Sequence, residues 1–205
     1  MKICGLMDRQ DLDQALAAGA DAVGFVVEID RSRHCLSSEE AREMIDRVPV
    51  FAKSVAVVAP GDLQEAVRLS RETGADLLQL HSPFSARDIL ELKRMVPQRI
   101  IAATAPGSED ILSLARAADA ILLDTFSDGV LGGSGRTHDW RASAAISRML
   151  EVPVILAGGL DPSNVLSAIK EVRPYAVDVS SGVETGGRKD ASKIRAFVKQ
   201  VRSCR

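Results

Sequence analysis

The sequence has few aromatic residues and no long apolar run, and its charge is close to balance. Aromatic residues make up 3% of the 205 residues, which leaves almost nothing for stacking on nucleic-acid bases. With 26 basic and 28 acidic side chains, the composition gives no electrostatic case for a nucleic-acid or membrane-surface partner. No apolar run approaches the roughly 18 residues of a membrane-spanning helix. Met1 leads directly into an apolar segment, so we expect no signal peptide.

Cysteine and histidine are also scarce. The three cysteines, Cys4, Cys35 and Cys204, are an odd number, widely spaced and without a CxxC pair. This pattern fits a reducing cytosol and neither a disulfide framework nor a zinc site. The three histidines show no metal-ligand spacing. We therefore expect a cytoplasmic globular protein with one domain over residues 1–205 and no metal.

Short apolar segments alternate with longer amphipathic segments along the whole chain. Strands are predicted at 2–5, 22–27, 51–58, 77–81, 99–104, 120–125, 153–158 and 175–181. Helices are predicted at 8–19, 37–48, 62–74, 85–96, 108–118, 139–150, 161–172 and 190–202.

Capping signals support several of these helices. Ser37 with Glu40 predicts a capping box, and Ser85 and Asp161 are candidate N-caps. Pro162 would then be the first residue of its helix.

Apolar strands alternating with helices are typical of a parallel sheet covered by helices. Eight such units in 205 residues favour a single α/β domain, a (β/α)8 TIM barrel with eight parallel strands. The alternative is a doubly wound open sheet. That fold usually has fewer strands and a glycine fingerprint after the first one, whereas KICGLMDRQD contains one glycine.

Two of the last predicted strands run directly into small residues. The first ends at Gly158 and Gly159, within VPVILAGGLDPSNV, and the second at Ser181 and Gly182, within YAVDVSSGVETGGR. Small residues let backbone N–H groups converge on an anion, and TIM barrels bind phosphate in the loops after their last two strands. Each turn alone is more often an ordinary βα turn, but the pair predicts a phosphate site.

Chemically active side chains follow other strands. A thiolate at Cys4, at the end of the first strand, can take a proton, although a buried cysteine is more often an apolar filler. Desolvation after the apolar run AILL would keep Asp124 partly protonated and able to act as a general acid; the alternative is an aspartate that caps a turn. Arg33 is a candidate for bidentate binding of a substrate carboxylate, or else a solvated loop arginine.

The remaining candidates are weaker. His81 and His138 would lie on the same face and contact a ligand, although such histidines are more often simple hydrogen bonders. The stretch GGSGRT at 132–137 lacks the first glycine and the lysine of a nucleotide-binding loop. The loop at 127–139 is better interpreted as a lid over the barrel mouth.

Taken together, these segments resemble one family. The matching segments are KICG, GADAVGF at 19–25, SRHCLSSEEA around Arg33, QLH at 79–81, LLDT at 122–125, GGSGRTHDW at 132–140, AGGLDPSNV at 157–165 and RPYAVDVSSGVE at 173–184. In this order they resemble the phosphoribosylanthranilate isomerase family of tryptophan biosynthesis, from the first residues to about Asp190.

The resemblance implies a reaction and roles for residues. The reaction would be the Amadori rearrangement of N-(5-phosphoribosyl)anthranilate to 1-(2-carboxyphenylamino)-1-deoxyribulose 5-phosphate, with no cofactor or metal. By motif position, Cys4 would be the general base at ribose C2′ and Asp124 the general acid at the ring oxygen. Arg33 would lie near the anthranilate carboxylate, and the turns at 158–159 and 181–182 would hold the phosphate of this small-molecule phosphosugar substrate. The sequence does not indicate an oligomeric state.

The sequence departs from the family's usual pattern in VVEIDRSR after the second strand, in QLHS and in the VVAP ending of the third strand. We expect these changes to alter affinity more than chemistry. Asp178 matches VDVSSGVE, but its side of the strand is ambiguous, so it is not included in the catalytic pair.

Two other functions are compatible with a phosphate-binding barrel. A histidine-pathway isomerase would, by resemblance, have paired aspartates at strands one and six, and Cys4 argues against it. A barrel that binds phosphate without catalysis would have no need of both Cys4 and Asp124.

Overall fold

The computed structural model describes residues 1–127, 130–131 and 139–204. Parallel strands form a closed barrel, and the barrel strands are β1 Lys2–Cys4, β2 Ala22–Val27, β3 Lys53–Val58, β4 Leu77–Leu80, β5 Arg99–Thr104, β6 Ala120–Leu123, β7 Val154–Leu156 and β8 Ala176–Val179. Each pairs with its neighbour in sequence, and β1 also pairs with β8, which closes the barrel.

Helices follow the strands and cover the barrel. They are α1 Arg9–Ala17, α2 Ser38–Ile45, α3 Leu63–Thr73, α4 Ala86–Met95, α5 Ile111–Ala117, α6 Trp140–Met149, α7 Val165–Val172 and α8 Ala191–Arg202. The predicted (β/α)8 TIM barrel is confirmed.

Short elements that the sequence did not predict decorate the carboxyl ends of the strands. Cys35–Leu36 pairs in parallel with β2, and Glu184–Thr185 pairs in antiparallel fashion with Arg188–Lys189. Phe126–Ser127 pairs with Val130–Leu131, and Ser181–Val183 forms a 3-10 turn directly after β8.

Side-chain caps are present at the starts of most helices, and one predicted cap was wrong. The capping boxes at Ser37 and Ser85 are present. Helix α7, however, begins at Val165, so Asp161 is not its N-cap and Pro162 is not its first residue. The Asp161 carboxylate instead accepts the N–H groups of Ser163 at 2.6 Å and Asn164 at 3.1 Å, which closes a turn that leads into the helix.

The third predicted strand also begins later than expected. The Ala52 N–H donates to the Pro49 carbonyl at 2.9 Å, and this turn leaves Phe51 99% exposed. Because the turn takes up these residues, β3 starts at Lys53.

Alternation along the strands separates two apolar layers. One set of side chains packs between barrel and helices, with Ile3, Phe25 and Leu156 among its fully buried members. The other set, which includes Val55 and Leu122, fills the barrel interior. This second layer positions the polar residues that project into the barrel above it. In the described ranges no helix combines the length and apolarity needed to cross a membrane.

Candidate active site

A cavity of about 370 Å³ lies at the carboxyl ends of the strands, where TIM barrels carry their active sites. The predicted site residues that line it are Cys4, Arg33, His81, Asp124, Gly158, Gly159 and Ser181. Gly182 does not line the cavity, although its neighbour does. Among the predicted site residues that the structure describes, the fold therefore brings all but Gly182 to one cavity.

Cys4 is the last residue of β1, and its side chain is 7% exposed. Burial raises the pKa of the thiol, because it disfavours the charged thiolate; the nearby Lys2 ammonium opposes that shift. Gly24 of β2 lies opposite. A Cβ at Gly24 would come within 2.7 Å of both Cys4 Sγ and Lys2 Cε, so glycine makes room for these two side chains.

Lys2 is the functional candidate that the sequence analysis missed. Its ammonium donates to Asp178 Oδ2 at 2.9 Å, to Gln79 Oε1 at 2.9 Å and to Cys4 Sγ at 3.1 Å. Burial lowers the pKa of this ammonium, but Asp178 and Cys4 together outweigh burial and raise the pKa above the usual range. A lysine two residues before Cys4 in the same strand shares its face of the sheet, and this spacing was the available signal.

Asp178 projects into the barrel and faces Lys2 across the β1–β8 pair, where the two residues are register partners. It is 7% exposed, and its Oδ1 has no hydrogen-bond partner among the residues that the structure describes. The ambiguity about its side of the strand is thereby resolved: its side chain lines the cavity.

Asp124 directly follows β6, on the same cavity wall as Gly158. Burial raises the pKa of this carboxyl to about 6, and the negative charge of Asp178 adds to the shift. The N–H of Thr125 donates to Asp124 Oδ1 at 2.7 Å and acts in the opposite direction. The expected desolvation is thus present together with the turn-capping contact that was its alternative.

Arg33 contacts the segment that follows β8. Its guanidinium donates to Glu184 Oε2. Glu184 Oε1 lies 2.9 Å from His34 Nε2 and 2.6 Å from Lys189 Nζ. Burial of Glu184 favours a high pKa, but His34 and Lys189 outweigh it and lower the pKa to about 2. Glu184 is therefore a carboxylate that joins the β2 loop to the segment after β8.

The turn after β7 combines a left-handed backbone with N–H donors that have no acceptor among the described residues. Gly158 and Gly159 adopt φ of +82° and +63°, in the left-handed region that favours glycine. Within the described part of the chain, the N–H groups of Gly158, Gly159 and Leu160 donate to no backbone or side-chain acceptor. Asn164 Nδ2 anchors the turn through the Gly159 carbonyl at 2.8 Å.

The turn after β8 packs directly on the turn after β7. A Cβ at Gly182 would lie 1.9 Å from the Leu160 carbonyl oxygen, so only glycine permits this contact between backbones. Beneath the second turn, the buried Lys189 ammonium donates to the Ser180 carbonyl at 3.2 Å and to its hydroxyl at 3.3 Å. Lys189 is a second cation that the sequence analysis did not identify.

His81 follows β4, and its Nε2 lies 2.6 Å from Gln79 Nε2, which links it to the Lys2 cluster. His138, the stretch 132–137 and most of the expected lid at 127–139 lie outside the described residues. Over the ranges given above, no group of three or more His, Cys, Asp or Glu side chains is arranged to hold a metal ion.

Comparisons with known proteins agree on one family. The sequence profile of N-(5′-phosphoribosyl)anthranilate (PRA) isomerase matches residues 1–200. The isomerase of Methanothrix thermoacetophila is 58% identical over 204 residues, which cover 100% of this chain and 98% of that protein. The Haloferax volcanii isomerase is 43% identical, over 100% of this chain and 94% of that protein.

Solved structures of such isomerases superpose over nearly the whole barrel. The Thermus thermophilus enzyme has a TM-score of 0.85 and 32% identity, with 100% of this chain and 98% of that chain covered. A phosphoribosyl anthranilate isomerase in complex with reduced 1-(o-carboxyphenylamino)-1-deoxyribulose 5-phosphate has a TM-score of 0.82 and 32% identity, with 98% and 97% covered. The resemblance noted in the sequence is therefore confirmed, and the chain belongs to the N-(5′-phosphoribosyl)anthranilate isomerase family.

Proposed function

We propose that the chain isomerises N-(5′-phosphoribosyl)anthranilate with Cys4 as general base and Asp124 as general acid. The activity is that of the family to which the chain belongs. The observation that carries the assignment of roles is that Cys4, Asp124 and a turn with free backbone N–H donors line one cavity. Two titratable groups in different environments in one cavity are typical of an acid–base pair.

Ring opening needs a proton donor, and Asp124 supplies it. Its carboxyl protonates the ribose ring oxygen while the bond from C1′ to that oxygen breaks, which leaves a protonated Schiff base. At pH 7 a carboxyl with a pKa of about 6 is about one-tenth protonated, whereas at the ordinary pKa the fraction would be below about a thousandth. The buried position of Asp124 therefore increases the acid form by roughly two orders of magnitude.

Enolisation then needs a base, and the Cys4 thiolate supplies it. The thiolate takes the proton from C2′, and the electron pair of that C–H bond moves toward the iminium nitrogen to give an enolamine. Tautomerisation of the enolamine, with a proton added at C1′ and lost from the C2′ hydroxyl, gives the 1-amino-1-deoxyketose. Both steps are proton transfers, so the site carries them out with its own side chains.

Substrate binding involves both rims of the cavity. The N–H groups of Gly158 and Gly159, which have no acceptor among the described residues, and the turn containing Ser181 are suited to an anion such as the 5′-phosphate. The Lys189 ammonium lies behind the second of these turns. Gly182 supports this turn through its contact with Leu160. Arg33 and His81 also line the cavity, and we assign Arg33 to the anthranilate carboxylate. A ribose hydroxyl would donate to the unpartnered Asp178 Oδ1.

The partner of this site is a small-molecule phosphosugar. We assign the protein to the cytoplasm, because its cysteines at 4, 35 and 204 are free thiols, as is usual in a reducing compartment. A relative in the family was solved with a reduced form of the product, and we infer that the cavity of this chain takes the same ligand class.

The proposal is tested by following the loss of phosphoribosylanthranilate fluorescence with the purified chain. We expect turnover that is insensitive to a metal chelator, together with growth of a tryptophan auxotroph that carries the gene. A chain that prefers the aminoaldose of the histidine pathway in a competition assay would contradict the substrate assignment. Ligand binding without turnover would favour the non-catalytic barrel instead.

Replacing Arg33 with methionine should raise KM about 10- to 100-fold and leave kcat less affected, because a charge-assisted contact to a carboxylate is worth about 1.5–3 kcal/mol. Steady-state kinetics measures the split between KM and kcat. Arg94→Met, an exposed arginine on α4, is the matched control and should change neither value. If Arg31→Met raises KM and Arg33→Met does not, the carboxylate contact belongs to Arg31, which also lines the cavity.

A further inference from the structure

We propose that Lys2 is a positioning residue that keeps Cys4 available as a base, by donating a hydrogen bond from its ammonium to the thiolate. This inference rests on the proposed role of Cys4, but it makes a separate statement about how that thiol ionises. The same contact gives Lys2 no role in touching the substrate, because its ammonium is occupied by protein groups.

The hydrogen-bonding capacity of the Lys2 ammonium determines which group donates in its contact with Cys4. A lysine ammonium has three N–H donors and no acceptor. Its three partners here are Asp178 Oδ2 at 2.9 Å, Gln79 Oε1 at 2.9 Å and Cys4 Sγ at 3.1 Å. Cys4 Sγ must therefore be the acceptor. A thiolate accepts far better than a thiol, so this arrangement stabilises the ionised form.

The position of Lys2 is fixed by the fold. Its residue is 4% exposed, so the charge cannot turn away into solvent. Lys2 and Cys4 share one face of β1, and Gly24 of the adjacent strand leaves the space that both side chains occupy. Asp178 holds the ammonium from β8 and Gln79 holds it from β4.

The other charged groups around Cys4 do not by themselves favour its thiolate, so the Lys2 ammonium is needed. The Asp178 carboxylate raises the pKa of the thiol. Asp124 lies on the same cavity, while Lys189 lowers the pKa of the thiol from beyond Ser180. Without Lys2, Cys4 would be a buried thiol near the Asp178 carboxylate, with Lys189 as the remaining cation that lowers its pKa.

The test is the pH dependence of Cys4 alkylation by iodoacetamide, because only the thiolate reacts and the reaction needs no turnover. Peptide mass spectrometry reports modification of Cys4, with the exposed Cys204 as a reference in the same sample. In Lys2→Met we expect the midpoint of the Cys4 titration to rise by about 1–2 pH units and the rate at neutral pH to fall about 10- to 100-fold. The Cys204 midpoint should stay the same.

The pH dependence of activity gives a second test. If Lys2 had a purely structural role, the loss of activity in its variant would not depend on pH. Activity should fall at neutral pH in proportion to the thiolate fraction, and the deficit should shrink above the pKa of the altered thiol. Lys53→Met is the matched control, since Lys53 is exposed at the start of β3 and pairs with Asp76, away from the cavity. A deficit of the same size at every pH would overturn the proposal.

A further variant covers the case in which Lys2→Met does not fold because Asp178 is left unpaired. Lys2→Met combined with Asp178→Asn removes both charges, and the midpoint of Cys4 should still rise, by less than in the single variant. An unchanged or lower midpoint in the folded variants would overturn the proposal. Failure of the Cys4 role itself would be seen separately, as full activity in a Cys4 variant.

Discussion

Replacing Cys4 with serine or alanine is expected to lower kcat by about 10²- to 10⁴-fold, the usual contribution of a general base. This corresponds to about 3–5 kcal/mol in the activation free energy. Serine still offers Lys2 an acceptor, but its hydroxyl does not ionise near neutral pH, so proton removal from C2′ slows. Substrate fluorescence under saturating conditions measures the loss, and KM should change little.

The control for this prediction is Cys204→Ser, which removes an exposed thiol near the end of α8. It should retain full activity. Full activity in the Cys4 variants would mean that another group removes the proton, and the assignment of the base would be wrong.

Replacing Asp124 with asparagine is expected to lower kcat by a similar factor of about 10²–10⁴. The amide keeps an oxygen that accepts the Thr125 N–H, so the local turn should survive, but it has no proton to give to the ring oxygen. Asp13→Asn, an exposed aspartate on α1, is the matched control. Unchanged kcat in Asp124→Asn would exclude it as the acid.

The pH profile makes the prediction for Asp124 sharper. The active form has a protonated Asp124 and an ionised Cys4. The pKa of Asp124, about 6, is lower than the pKa of Cys4, which is raised by burial. The population of this form is constant between the two pKa values and falls below the lower one. The acidic limb of kcat/KM should therefore lie near pH 6 and belong to Asp124. In Asp124→Asn the residual kcat/KM should instead rise with pH through pH 6 without a break, until Cys4 is ionised.

The pH dependence of the stability of the protein gives an independent measure of the burial of Asp124. A carboxyl whose pKa is higher in the folded than in the unfolded state lowers the free energy of unfolding as the pH rises above the unfolded pKa. The loss of stability reaches its limit at pH values above the folded pKa of about 6. Asp124→Asn should therefore be more stable than the wild-type chain at pH 8 in urea unfolding. The difference should shrink as the pH falls below 6. An equal or lower stability at pH 8 would contradict the raised pKa.

The sequence was sufficient for the barrel and for much of the cavity. Periodicity and the small-residue turns identify the strands, and the topology of a barrel brings their carboxyl ends together. Cys4, Asp124 and Gly158 line the cavity for this reason. Local signals were less reliable where a turn competed with a regular element, as at Asp161 and Phe51.

The interactions that tune the site were not predictable in the same way. Lys2 lies at the start of a strand, where a lysine is usually solvated, and its burial depends on the register between β1 and β8. Glu184 contacts Arg33 across 151 residues of sequence, a separation at which a single sequence gives no pairing signal. Such contacts require the closed barrel and its register, which composition and local spacing do not specify.

The pairing of β1 with β8 also has a consequence for the order in which the protein matures. Lys2 and Asp178 are 176 positions apart, and a ribosome makes β8 last among the barrel strands. A nascent chain that has folded as far as β7 still lacks the carboxylate that holds Lys2, so the cation beside Cys4 is not yet fixed in place. Chains that end before β8 should therefore be inactive toward the substrate, and the Cys4 thiolate should become favoured only when the last strand closes the barrel.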